Sequence, residues 1–131
     1  MAYKDITFTI NTGALRASGV TVDPGHAWGF ELRLVGTKQY CGKLLVLTGQ
    51  GHLSSLHYHP VKKETFFVLA GSVKIVTLGS NSGTYKPGDS LTLYPSMAHR
   101  FSLGEGCQEA LILEVSTEHK DEDVVKLEES T

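Results

Sequence analysis

The sequence has few cysteines, no strong charge imbalance and no long hydrophobic run, and each absence excludes a class of protein. Its two cysteines, Cys41 and Cys107, are too few for a disulfide framework in 131 residues, so we expect both to be reduced thiols. A net charge of −2 predicts neither a nucleic-acid surface nor a polybasic membrane patch. No segment approaches the ~20 apolar residues of a membrane span.

The N-terminal residues also lack a targeting signal. The segment MAYKDITFTI has neither the basic start nor the continuous apolar core of a signal peptide, so we expect a cytoplasmic protein. The charged fraction of 20% and the hydrophobic fraction of 40% are ordinary for a soluble globular protein. At this length we expect a single domain, residues 1–131.

What the sequence does contain is a succession of short β-rich runs separated by turns rich in glycine. The runs are ITFTI, WGFELRLV, KLLVLT, SSLHYH, ETFFVLA, SVKIVTL, GTYK, SLTLYP, HRFSL and ALILEVST. Their spacing predicts an all-β antiparallel sandwich or barrel. The last stretch, EHKDEDVVKLEEST, is acidic and weakly amphipathic, and it is predicted to form a short helix or a loose tail.

The segment from Gly51 to Gly71 carries the clearest chemical signal. His57 and His59 are two residues apart on a strand, so their side chains project from the same face. Glu64 opens the next run, and antiparallel pairing of the two runs would place its carboxylate beside the imidazoles. Such a donor set suits a borderline divalent metal, although a strand histidine can equally be a surface group or a hydrogen-bonded core residue.

The spacing around these residues resembles the two motifs of the cupin superfamily. The first motif, G-x5-H-x-H-x3,4-E-x6-G, matches Gly51, His57, His59, Glu64 and Gly71. In the second motif Gly88, Asp89 and His99 fall in register, while Tyr94 replaces the usual proline, Ser96 the usual glycine and Leu103 the final asparagine. Pro95 lies between Tyr94 and Ser96, so we expect the turn to be retained.

The resemblance implies a fold and a cofactor. It implies a cupin-type double-stranded β-helix, a jelly roll, with its core at residues 25–117 and a short acidic tail at residues 118–131. It also implies one divalent metal ion, Mn, Zn, Ni or Fe, held by His57, His59, Glu64 and His99. Such a site would leave coordination positions open for a substrate.

The flanking residues resemble those of cupins that act on sugars, in particular the mannose-6-phosphate isomerase domain and D-lyxose isomerase. A W-G-x-E start matches Trp28, Gly29 and Glu31, and a Y-C-G-K segment matches residues 40–43. The family's S-T-x-H-x-x-E-D-V ending matches at Ser116, Thr117, His119 and Asp123. The resemblance implies a metal-dependent aldose–ketose isomerase acting on a sugar or sugar phosphate.

An isomerase needs a group that moves a proton between neighbouring carbons. Glu31 and Lys43 are our candidates, although both alternate with apolar residues and could simply face solvent. Lys62, Lys63 and Arg100 could contact a phosphate. The candidate substrate-binding residues are Lys63, Tyr94, Arg100 and Phe101. His119 is left out of the expected metal site because it lies in the charged tail.

Two other functions remain open at this point, together with the oligomeric state. An iron-dependent dioxygenase would use the same ligands in a mostly apolar pocket, for which Phe66, Phe101 and Leu103 are candidates. A non-catalytic sugar-binding or regulatory protein would bind without turnover. In ETFFVLA the face opposite Glu64 carries Phe67 and Leu69, which predicts that a second copy covers it in a homodimer.

Overall fold

The computed structural model describes residues 10–79 and 81–131, which form one short helix and eleven strands. The helix is α1 (Thr12–Ala17). The strands are β1 (Thr21–His26), β2 (Gly29–Gly36), β3 (Cys41–Leu47), β4 (Leu56–Tyr58), β5 (Glu64–Ala70), β6 (Val73–Thr77), β7 (Gly83–Tyr85), β8 (Ser90–Leu93), β9 (His99–Leu103), β10 (Ala110–Ser116) and β11 (Val125–Glu128). Within the described residues no helix has the length and apolarity needed to cross a bilayer.

The strands form two antiparallel sheets. One sheet has six strands in the order β1-β2-β3-β10-β5-β8, and the other has five in the order β11-β4-β9-β6-β7. Strands that are neighbours in a sheet are mostly distant in sequence, as expected of a jelly roll. The predicted all-β jelly roll is therefore confirmed.

The core lies between the sheets, and strand alternation determines which side chains enter it. In β5, Glu64, Phe66 and Val68 are buried, whereas Phe67 and Leu69 on the other face are exposed. Phe66 joins a cluster of buried apolar side chains from both sheets: Trp28, Leu45, Leu47, Val68, Val73, Ile75, Leu91, Leu93, Phe101, Ala110 and Ile112. Glu64 points into the same interior at one end of this cluster, so the fold places a carboxylate beside an apolar core.

Gly71 lets the chain leave β5 and turn sharply into β6. Its φ of 71° lies in the left-handed region, and a Cβ there would clash with the backbone of Glu109 and Ala110. The glycine that ends the first sequence motif is thus required by a close approach of two chain segments.

The structure differs from the sequence prediction at three described elements. The predicted helix or loose tail at the C-terminus is wrong, because Val125–Glu128 form strand β11 and pair with β4. Strand β1 and helix α1 were not predicted. The first predicted strand, ITFTI, lies outside the described residues except for Ile10.

Candidate metal centre

Three histidines meet between the sheets at one end of the apolar core. His57 lies in β4 and pairs directly with His99, the first residue of β9, while His59 follows β4 by one residue. One ring nitrogen from each of these histidines lies within 4.8 Å of the others. A group of this kind could hold a metal ion.

Glu64 completes the group from the opposite sheet. Its Oε1 lies 2.9 Å from Nε2 of His99 and 3.6 Å from Nε2 of His59. The expected pairing of the HxH strand with ETFFVLA is wrong, since β4 and β5 belong to different sheets. The carboxylate instead reaches the imidazoles across the interior of the sandwich.

The other ring nitrogen of each histidine is hydrogen-bonded to a backbone carbonyl. Nδ1 of His57 donates to Ser55 O at 3.1 Å, Nδ1 of His59 to Asp123 O at 2.6 Å, and Nδ1 of His99 to Met97 O at 3.0 Å. We assign the tautomers from these bonds, which leave each Nε2 as a lone-pair donor. This arrangement orients metal-binding histidines in proteins.

Buried polar atoms at the centre lack hydrogen-bond partners. Among the described residues, Nε2 of His99 and both carboxylate oxygens of Glu64 are buried without a hydrogen bond of suitable geometry. With its proton on Nδ1, His99 presents a lone pair to the Glu64 carboxylate, so two electron donors face each other at 2.9 Å. A cation between them would satisfy both, so the residues present fit a divalent metal.

The electrostatics of the site keep His57 and His59 neutral and Glu64 ionised. Burial, reinforced by the neighbouring His99 and His59, lowers the pKa of His57 to about 3. Burial also lowers the pKa of His59. Although burial opposes the ionisation of Glu64, the adjacent Lys62 ammonium holds the pKa of this carboxyl well below its usual range. Neutral imidazole and ionised carboxylate are the forms that bind metals.

A proline-led turn positions two of the histidines. Met97 N donates to Tyr94 O at 3.1 Å, and Ser96 N donates to His59 O at 2.8 Å. Ser96 occupies the third position of this turn with φ of 68°, a value that explains why glycine is usual there. The predicted retention of the turn is confirmed, although serine adopts the left-handed conformation at some cost.

A chamber of about 180 Å³ adjoins the centre, and its walls are largely charged. His57, His59 and Glu64 form one side, and Leu45, Phe66 and Phe101 form an apolar patch. The remaining lining is polar or charged and consists of Asp23, Glu31, Arg33, Lys43, Lys62, Glu114, His119 and Asp121.

Glu31 and Lys43 both lie in this chamber. Lys43 is buried, with its Nζ 3.6 Å from Oε2 of Glu31 on the neighbouring strand. Glu31 and Lys43 therefore do not simply face solvent, the alternative that their sequence pattern had left open. Their catalytic role remains a prediction.

The predicted substrate-binding residues are not brought together. Phe101 is buried and lines the chamber. Lys63 lies over the ring of the exposed Tyr94 at 4.8 Å from its centroid, and neither residue lines the chamber. Arg100 donates to Ser54 O, Glu128 and Glu129 O, and it too lies outside the lining.

Sequence reasoning missed a buried network behind Glu64. Lys62 is 3% exposed, and its Nζ lies 3.1 Å from Oε2 of Glu64 and 3.4 Å from Oε2 of Glu114. Nδ1 of His119 faces both Lys62, at 3.4 Å, and Lys43, at 3.5 Å. The family-like ending at Ser116 to Asp123 was the available signal for His119. The sequence suggested Lys62 only as a phosphate contact, whereas the structure pairs it with two carboxylates, and no local pattern indicated Glu114.

The comparisons with known proteins agree with this geometry. The family model described as a cupin domain matches residues 44–116, more than half of the chain. A search of curated proteins found no match.

Solved structures with the same fold include KdgF from a Halomonas species, with a TM-score of 0.69 at 14% identity, covering 90% of this chain and 98% of that one. Oxalate decarboxylase from Lactobacillus farciminis has a TM-score of 0.66 at 17% identity, covering 84% of this chain and 34% of that one. The capsular polysaccharide assembling protein CapF from Staphylococcus aureus has a TM-score of 0.67 at 17% identity, covering 83% of this chain and 32% of that one. The chain thus corresponds to about a third of the latter two proteins, and likeness at these identities establishes the fold alone.

Proposed function

The chain belongs to the cupin family, and from this premise we propose that it is a metal-dependent isomerase that interconverts an aldose and a ketose, as a sugar or sugar phosphate. The observation that carries the proposal is the convergence of three Nε2 lone pairs and Oε1 of Glu64 beside a chamber that holds Glu31 and Lys43. Mn, Zn, Ni and Fe all suit this donor set. A bound ion would act as a Lewis acid on the substrate carbonyl.

The charged residues of the chamber supply the proton transfer that isomerisation requires. We assign this step to Glu31, whose carboxylate would accept a proton from one substrate carbon and return it to the next. Lys43, whose Nζ lies 3.6 Å from Oε2 of Glu31, holds that carboxylate at the wall of the chamber. Phe101 and Phe66 exclude water from the apolar side of the bound substrate.

The composition of the chamber favours a sugar over the substrates of a dioxygenase. An oxygenase acting on an aromatic or diketone substrate should have a mostly apolar pocket. Here Leu45, Phe66 and Phe101 provide one apolar patch, and charged or polar side chains form the rest of the lining. Hydroxyl groups of a sugar can donate to such carboxylates.

Metal analysis combined with a turnover assay tests the proposal. We expect purified protein to carry about one divalent ion per chain, and we expect a chelator to abolish aldose–ketose interconversion until metal is restored. His57→Ala should lose both metal and turnover. His52→Ala is the matched control, because His52 is exposed and bonds to Thr131 O outside the chamber.

Two results would separate the alternatives. Ligand-induced stabilisation without turnover would identify a non-catalytic sugar-binding protein. Full turnover by His57→Ala protein that has lost its metal would refute the mechanism.

Glu31→Gln should keep its metal but lose at least about a hundredfold in kcat, as expected for a general base.

A further inference from the structure

Lys62 carries a buried ammonium group at the point where the chain enters the metal centre. It lies two residues before Glu64, in the connector between β4 and β5, and it is buried. Its backbone N–H donates to Oδ2 of Asp123 at 2.9 Å, which fixes the base of the side chain. Burial of an ammonium is costly unless acceptors surround it, so the contacts of Nζ indicate what this cation does.

Three acceptor atoms surround Nζ of Lys62. Oε2 of Glu64 lies 3.1 Å away, Oε2 of Glu114 lies 3.4 Å away, and Nδ1 of His119 lies 3.4 Å away. An ammonium has three N–H bonds, which matches the three acceptors. Glu114 is buried on β10, the strand that pairs with β5, so the sheet itself holds this carboxylate beside the ammonium.

The two carboxylate oxygens of Glu64 face different partners. Oε1 faces Nε2 of His99 at 2.9 Å and Nε2 of His59 at 3.6 Å. Oε2 forms the ion pair with Lys62. A carboxylate can bind a metal through one oxygen or through both, and two-oxygen binding requires that the second oxygen is free to turn toward the ion. In Glu64 the second oxygen is already paired with a cation.

The charge of a bound ion is compatible with this division. A divalent ion adds two positive charges to the site and repels the Lys62 ammonium. The Glu64 carboxylate presents Oε1 to the centre and Oε2 to Lys62, so it separates the two cations. Glu114 supplies a second carboxylate that retains the ammonium. Lys62 therefore keeps both of its carboxylate partners when the ion binds.

We propose that Lys62 is a positioning residue that keeps Oε2 of Glu64 off the metal, so that Glu64 binds the ion through Oε1 alone. A catalytic metal site keeps a coordination position open for water or substrate, and a second carboxylate oxygen would occupy such a position. The inference rests on the metal centre of the proposed function but not on the isomerase reaction.

The number of water molecules bound to Mn²⁺ measures this role of Lys62. Protein loaded with Mn²⁺ is placed in water enriched in the magnetic isotope of oxygen, which broadens the electron paramagnetic resonance lines of the ion when it is coordinated. We expect Lys62→Met to lose about one coordinated water relative to the unmodified chain, because the released Oε2 takes its position. Lys63→Met is the matched control and should keep that water, because Lys63 is exposed and lies over the ring of Tyr94.

The affinity for Mn²⁺ separates positioning from support of the fold. Lys62→Met removes a positive charge beside the ion, so its affinity, measured by competition with a chelating dye, should not fall below that of the unmodified chain. If Lys62 only supported the fold, its loss would disorder Glu64 and weaken Mn²⁺ binding without removing a coordinated water. Lys62→Met combined with Glu114→Leu removes the ion pair as a unit, leaves no unpaired carboxylate at position 114, and should show the same loss of water.

The unmodified chain provides an independent measurement. A crystal structure of its Mn²⁺ complex should show one oxygen of Glu64 bound to the ion and the other facing Lys62. Glu64 bound through both oxygens, or an unchanged number of coordinated waters in both Lys62 variants, overturns the inference and leaves the isomerase proposal standing. Binding through one oxygen in a chain that catalyses no aldose–ketose interconversion would support the inference while removing the isomerase.

Discussion

Glu114 is the residue whose chemistry departs furthest from what its sequence position suggests. It lies in the middle of β10, where alternation alone would not distinguish it from a solvent-facing carboxylate. Burial, with repulsion from Glu64, raises its pKa from 4.5 to about 7, while the nearby Lys62 and Lys43 oppose that rise. Repulsion from the Glu31 carboxylate adds to the rise in the pKa of Glu114. The folded protein therefore holds a proton that the unfolded chain releases at lower pH.

This difference predicts a pH-dependent stability. Between about pH 4.5 and 7 the native state binds more protons at Glu114 than the unfolded state, so the contribution of this group to the free energy of unfolding should fall as pH rises. The lowered pKa values of His57 and His59 act in the opposite sense. The Glu114 contribution, a loss on the order of 1–3 kcal/mol across this window, is therefore measured in chelator-treated protein as the difference in urea unfolding between the unmodified chain and Glu114→Gln. Glu114→Gln should lack that part of the slope.

The comparison of slopes isolates this one group. Glu105→Gln, in an exposed turn, serves as the control and should retain the slope of the unmodified protein. A slope that is the same in Glu114→Gln as in the unmodified chain would show that Glu114 ionises normally in the folded state.

At the residue level, the sequence predicted the donors of the centre better than their surroundings. His57 and His59 lie two residues apart on one strand, so strand periodicity predicted that their side chains share a face. The pairing expected to bring Glu64 beside them is wrong, and it was the resemblance to the cupin motifs that implied the full set with Glu64 and His99. Lys62, Glu114 and His119 come together only because β5 pairs with β10 and because the C-terminal segment brings His119 back beside Lys62. Such convergence depends on long-range contacts, which local patterns do not encode.

At the level of elements, the C-terminal strand β11 shows how an acidic segment can belong to the fold. Its charged residues suggested a solvated tail, yet it pairs with β4, the strand that carries His57. Strand β1 was missed because Asp23, Pro24 and Gly25 form a turn-like sequence, and the β1–β2 register indeed shifts between Asp23 and His26. Strands β5 and β9 were predicted with the bounds that the structure has, and the other predicted strands within the described residues differ by one or two residues at an end.

Asp123 connects the C-terminal segment to the metal-binding segment. Its carboxylate accepts hydrogen bonds from Val61 N and Lys62 N, both at 2.9 Å, and its carbonyl oxygen accepts from Nδ1 of His59. The segment before β11 therefore fixes both the orientation of His59 and the connector that leads to Glu64.

We expect Asp123→Ala to reduce both stability and metal affinity. The buried N–H of Lys62 and the partly buried N–H of Val61 would lose charged acceptors, at a cost on the order of 2–4 kcal/mol in chemical denaturation. The affinity for Zn²⁺, measured by competition with a chelating dye, should fall about tenfold or more, as for other residues that orient metal ligands. Asp123→Asn keeps one acceptor oxygen, so its stability and its Zn²⁺ affinity should lie between those of Asp123→Ala and those of the unmodified chain.

A loss of stability without a loss of Zn²⁺ affinity would contradict the role of Asp123 in positioning His59. If Asp123→Ala lost stability but bound Zn²⁺ as tightly as the unmodified chain, the segment would support the fold without positioning His59. The backbone carbonyl that accepts from His59 is retained in both variants, so any loss of affinity reports on the placement of the segment.

At the scale of the whole molecule, the outer face of the six-stranded sheet presents a continuous apolar row. The register places Leu44 of β3, Leu113 of β10 and Phe67 of β5 side by side. Phe67 remains 39% exposed and Val115, further along β10, 48% exposed. An apolar face of this kind on a small β protein indicates an interface, and the predicted homodimer would cover it.

We therefore expect the protein to sediment at twice the mass of one chain, and Phe67→Glu to shift it toward the monomer. In a symmetric dimer each substitution appears twice, so the two introduced carboxylates would be buried close to the symmetry axis or against the partner's apolar row. A loss of at least about a hundredfold in dimer affinity, measured by sedimentation equilibrium, follows from burying an unpaired charge. Leu78→Glu provides the matched control, because Leu78 is 70% exposed in the turn after β6, away from this sheet face.

Since the metal donors and the chamber lie between the sheets, Phe67→Glu should retain its metal content, which separates dissociation from unfolding. A monomeric unmodified chain, or a Phe67→Glu variant that stays dimeric, would show that the apolar row is not the dimer interface.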